Sequence, residues 1–99
     1  MSDCNKIDIA ATEIGVSREF LAEMYAAGGD LESIVLGCKR LLRNSRSTDP
    51  EREIRVALRE VREPPTALEA ASRAMLLFGP THARVMVLIA RGVDPRGAA

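Results

Sequence analysis

In the stretch DLESIVLGCKRLLR, residues 30–43, Leu31, Ile34, Val35, Cys38, Leu41 and Leu42 recur three and four residues apart. On a helix of about 3.6 residues per turn that spacing gathers them into one apolar stripe. Asp30 stands just before the first apolar residue, where a carboxylate accepts the orphan N–H groups of a first helical turn. Lys39, Arg40 and Arg43 crowd the last turns, where cations meet the negative end of the helix dipole. A helix of this kind hides one face, and the rest of the chain offers only further helices to cover it.

Upstream, Gly28-Gly29 closes a helix expected over 18–27 behind a Ser17 cap, with Phe20, Leu21, Met24 and Ala27 on one side and Glu19, Glu23 and Ala26 on the other. A first helix is expected over about 6–14, stopping at Gly15. Downstream, Asn44 to Asp49 reads as a polar loop. Thr48 and Glu51, with Pro50 near the first helical position, form the pattern of a capping box. The helix it opens runs to about Glu63 and turns Ile54, Ala57, Leu58 and Val61 inward. Pro64-Pro65 cannot continue it, and Thr66 with Glu69 is a second capping box for a helix over 67–78. Ala67, Ala70, Ala71 and Ala74 permit a close neighbour there, while Leu68, Met75, Leu77 and Phe78 widen the apolar surface.

Gly79-Pro80 breaks that helix. Thr81 is expected to cap a last one over 82–91, closed by Gly92 and followed by a fraying tail over 93–99. The run Val-Met-Val-Leu-Ile-Ala at 85–90 also suits a buried strand, but no second strand candidate exists to pair with it, so it reads as helix. The expected fold class is all-α, a bundle of five or six short helices arranged as hairpins in a single domain over 1–99.

Composition agrees: 99 residues suit one core, and 46% hydrophobic with 28% charged residues is globular rather than disordered. Fourteen basic residues balance fourteen acidic ones, which removes the net-charge case for nonspecific binding to nucleic acid or anionic membrane. With no Trp, one Tyr and two Phe, the chain lacks aromatic surfaces for stacking bases or caging ligands. The longest apolar run, Val85 to Ala90, is far short of the roughly 20 residues of a membrane span, and a cytoplasmic protein is expected. Cys4 and Cys38 have no second Cys or His at ligand spacing, so neither a metal site nor a disulfide framework is indicated. Cys38 sits in the apolar stripe and reads as a small core residue.

Residues 7–26 resemble a helix-turn-helix, with Ala11, Gly15 in the turn, and apolar Ala10, Ile14, Val16, Leu21 and Met24 at the packing positions. The resemblance implies a DNA-binding regulator whose second helix lies in the major groove and presents Arg18, Glu19, Ala22 and Glu23. Residues 1–30 hold two basic against six acidic residues, however, and a phosphate backbone repels such a surface. Ala83, Val87, Ala90 and Pro95 are similar to the second half of a tetratricopeptide repeat, but Ala67, Ala70, Ala71 and Ala74 stand where that family carries larger residues and a glycine.

Two further features bear on function. Arg52, Arg55, Arg59 and Arg62 recur at spacings of three, four and three, an arginine stripe beside the buried face of the fourth helix. Arginine forks bind carboxylate or phosphate, although Glu51, Glu53, Glu60 and Glu63 share the helix and make the stripe equally legible as solvated surface. The last helix is apolar nearly all round, and Leu36 and Leu76 fall on the polar sides of theirs. His82, the single histidine, has no local acid or Cys partner, and no phosphate loop, Glu-x-x-His motif or nucleophile elbow occurs. The expectation is therefore a non-enzymatic interaction module, an adaptor, chaperone or regulatory antagonist, needing no cofactor or metal and binding another protein or a second copy of itself. Val85, Met86, Leu88, Ile89 and Leu76 would anchor the partner and the arginine stripe would orient it. The alternative is the DNA-binding regulator.

Overall fold

Turn residues and caps divide the chain at short intervals, and each interval forms a helix. The computed structural model describes residues 3–43, 45 and 48–93, in which six α-helices follow one another: α1 (Asp3–Ile14), α2 (Arg18–Ala27), α3 (Leu31–Arg43), α4 (Pro50–Arg62), α5 (Ala67–Phe78) and α6 (Ala83–Gly92). No strand occurs among the described residues, and the run at 85–90 is helical. Residues 44, 46 and 47 of the loop expected over 44–49, and the tail over 94–99 with Pro95, lie outside the described residues.

Several boundaries rest on the caps read from the sequence. Ser17 Oγ accepts from Phe20 N at 3.2 Å, Asp30 from Ser33 N at 3.2 Å, and Thr66 Oγ1 from Glu69 N at 3.2 Å. Three expectations need correction. Asp49, not Thr48, caps α4, because its carboxylate reaches Arg52 N at 3.2 Å with Pro50 in the first turn. Glu51 is thereby released from any capping box, and accepts instead from the Ser17 backbone N–H at 2.8 Å, 34 residues away. At α6 the cap position falls on His82 rather than Thr81, and no side chain caps it. α1 also begins three residues earlier than expected, at Asp3.

The stripes converge on one apolar core. Phe20, Leu21 and Met24 of α2, Ile34 and Cys38 of α3, Ile54 and Leu58 of α4, and Ala74 and Phe78 of α5 are all fully buried. Among the described residues no polar or charged side chain is buried, so the core costs no desolvation of such groups. α6 packs against α2, α3, α4 and α5, and its Met86 and Ile89 are 0% exposed. Each such side chain contributes about 1.5–3 kcal/mol by leaving water. Val93 also departs from expectation. It is buried beyond the end of α6, its N–H donating to Ile89 O at 2.9 Å, and does not fray.

Two glycines make turns that other residues resist. Gly15 adopts φ +76° between α1 and α2, and a Cβ there would stand 3.2 Å from Pro50 Cγ. Gly79 adopts φ +90° between α5 and α6, with the Arg40 side chain lying across it. L side chains rarely adopt either backbone conformation.

Candidate functional site

Two of the four anchors expected on the last helix are buried and a third is half-buried. Met86 and Ile89 are in the core, and Val85 is half-buried where it covers Gly29: a Cβ on that glycine would meet Val85 Cγ1 at 2.7 Å. Of the four anchors on α6 only Leu88 remains open, 47% exposed. The helix that is apolar nearly all round packs against four of the others, with Arg84, Leu88 and Arg91 on its open side.

The arginine stripe on α4 exists, but much of it serves the chain's own fold. Arg55 lies over the Phe20 ring, 4.1 Å from its centroid, and its Nε is 3.6 Å from Glu51 Oε2. Arg59 pairs with Glu63 at 3.3 Å, and Arg62 Nη1 donates to the Val93 carbonyl at 3.4 Å. Arg52 is exposed. Burial works against the charge on Glu51, yet the Ser17 N–H and Arg55 outweigh it and hold the carboxyl below its ordinary range.

The segment resembling a helix-turn-helix forms two helices around Gly15, with Ala10, Ala11, Ile14, Leu21 and Met24 all buried. On α2, Arg18 and Glu19 are exposed while Ala22 and Glu23 are half-buried. Arg18 Nε is held by Asp8 at 3.2 Å, so the single cation of that surface is already paired.

The outward side of α3 is a different matter. Leu36, Lys39, Arg40 and Arg43 project from it, off the buried stripe, and three depressions meet along it. The first, about 360 Å³, lies between α1 and α3 and is lined by Ile9, Ala10, Leu31, Val35 and Leu36, rimmed by Lys6, Glu13 and Glu32. The second, about 270 Å³, runs from Leu36 past Arg40 and Arg43 to residues 79–82. The third, about 320 Å³, lies between Arg40, Leu41, Arg43, Leu76 and Leu77. Shared side chains join them into one surface. Ile9 is 56% exposed, Leu36 44% and Leu76 82%, and Leu68 and Met75 continue the bare apolar side of α5.

Cations outnumber acids here. Lys6, Lys39, Arg40 and Arg43 face Glu13 and Glu32, on a chain whose net charge is zero. Lys39 Nζ sits 3.0 Å from Glu13 Oε2, tying α3 to the acidic first third. Leu36 and Leu76 were legible in the sequence as apolar residues on polar helix sides. Ile9 and the cleft beside Gly79 were not, because they depend on which helices lie next to α3.

Cys38 is fully buried, and desolvation pushes its thiol up to about 12, far from a reactive thiolate. Among the described residues no group of three or more His, Cys, Asp or Glu is placed to hold a metal ion, and no helix is long and apolar enough to cross a membrane. Comparison with protein-family models, curated proteins and solved structures gave no match.

Proposed function

We propose that this chain is a non-enzymatic protein-interaction module whose docking surface is the outward side of α3, flanked by Ile9 of α1 and Leu76 of α5. One observation carries the reading: three large apolar side chains are left bare along one continuous surface with Arg40 and Arg43 between them. Bare apolar side chains rimmed by charge mark partner sites more often than ordinary surface. The occupant that fits is an amphipathic helix of a partner protein, with leucines against Ile9, Leu36 and Leu76 and carboxylates opposite the arginines. Charge complementarity would set orientation and encounter rate, and the buried leucines would set affinity.

A labelled leucine/glutamate amphipathic peptide, compared by fluorescence anisotropy with its leucine/lysine counterpart, tests this. The acidic peptide should bind and the basic one should not, and Leu76→Asp should abolish binding while leaving the thermal melt in place. Equal binding of both peptides, or an unaffected Leu76→Asp, overturns the reading. Light scattering that shows a dimer lost in Leu76→Asp would replace the partner helix with a second copy of the chain.

A second reading, a DNA-binding regulator, is favoured by the buried packing positions around Gly15 at φ +76°. The paired Arg18 and the exposed Glu19 count against it. Duplex binding that falls steeply between two salt concentrations would promote it.

A further inference from the structure

We propose that the middle depression, where α3 passes the α5–α6 turn, is a binding site for a phosphate monoester, gripped by Arg40 and Arg43 with Thr81 and His82 as further donors. Its lining is Leu36, Arg40, Arg43, Gly79, Pro80, Thr81 and His82, two guanidiniums and no carboxylate in about 270 Å³. Planar guanidinium forks match the oxygens of phosphate in bidentate fashion, which an isolated surface lysine cannot do.

Two close approaches build the site. Gly79 has no side chain, and a Cβ there would overlap Arg40 Cδ and Nε, so the arginine lies flat against the turn and its head group is placed before any ligand arrives. Gly37 lets α3 and the start of α6 come together, since a Cβ at that position would stand 3.3 Å from His82 Cβ. His82 is thus brought to the same helix that carries both arginines. α6 starts here with no side-chain cap, leaving its first N–H groups to add to the positive field.

Two acids stand outside the lining: Glu32, on the rim of the neighbouring depression that shares Leu36, and Asp30. The Asp30 carboxyl is lowered chiefly by Ser33, to which it is already committed as the α3 cap, and only slightly by His82. Leu36 and Pro80 supply an apolar wall, which favours an ester over bare phosphate. The volume lies just under the range of about 300–1,000 Å³ typical of small-ligand sites, suiting a head group rather than a whole nucleotide. The site stands whether or not the surrounding surface docks a helix.

Titration of the ¹⁵N-labelled protein with inorganic phosphate, glycerol phosphate and succinate tests it, using backbone amide shifts. Saturable shifts should localise to Arg40, Arg43, Gly79 and residues 81–83, with phosphate esters binding at least tenfold more tightly than succinate. Arg43→Gln and Arg40→Gln should each weaken binding at least tenfold while the far-ultraviolet circular dichroism stays unchanged. A leucine/glutamate peptide with and without one phosphoserine distinguishes the source: preference for the phosphopeptide points to a modified partner, and preference for glycerol phosphate to a free small molecule. Shifts of equal size at Arg52, Arg59 and Arg62, equal affinity for succinate, or full binding by both arginine variants would overturn the proposal.

Discussion

Ile89→Ala and Leu76→Ala form a matched pair that separates core from surface. Both remove the bulk of an aliphatic side chain, but Ile89 is 0% exposed at the centre of the bundle and Leu76 is 82% exposed on α5. Truncating a buried isoleucine forfeits its transfer free energy and leaves a cavity, a loss of about 3 kcal/mol. A domain of this size holds about 5–15 kcal/mol in all. At about 4–8 °C per kcal/mol, Ile89→Ala should lower Tm by about 12–24 °C. Leu76→Ala should stay within about 0.5 kcal/mol of the parent, as surface changes do. Urea unfolding followed by circular dichroism at 222 nm, fitted with a common m-value, reads both. A loss under about 1 kcal/mol for Ile89→Ala, or over about 2 kcal/mol for Leu76→Ala, would refute the placement of α6 at the centre and α5 at the rim.

Glu51→Gln should cost about 1 kcal/mol at neutral pH, since the carboxylate accepts from Ser17 N and faces Arg55. The folded-state carboxyl is depressed below its ordinary 4.5, so its contribution is complete above that pH and fades as pH falls through the lower folded value; the parent and variant acid-unfolding curves should converge there. In a Cys4→Ser background, Cys38 should resist a disulfide reagent at pH 8 in the native state and react fully in denaturant, because burial holds its thiol protonated. Rapid native labelling would show that α3 opens on its own. Gly92→Ala should destabilise by about 1–3 kcal/mol in thermal melts, because the new methyl would stand 2.7 Å from Ala27 Cβ and 3.3 Å from its Cα. A neutral result there would mean that α2 and α6 separate easily.

Segmentation was written in the sequence almost completely. Ser17, Asp30 and Thr66 cap the helices they were expected to cap, and Leu31, Ile34, Val35, Cys38, Leu41 and Leu42 face inward as their spacing required. Local hydrogen bonding and the 3.6-residue period act over a single turn, so neighbouring residues suffice to reveal them. The Thr48 and Thr81 assignments failed inside that same range, where adjacent residues compete for one cap and small differences of geometry choose between them.

Function lay further from the letters. Periodicity tells which side of a helix is apolar but not how many helices cover it, so Met86 and Ile89 looked like anchors and are core, while Ile9 went unremarked. The same holds for charge: four arginines on α4 form a stripe on paper, yet Phe20, Glu51, Glu63 and Val93 engage three of them. Arg40 meets Gly79, and Lys39 meets Glu13, only because packing places segments tens of residues apart side by side. Burial and pairing belong to such long-range neighbours, and a sequence read turn by turn carries no record of them.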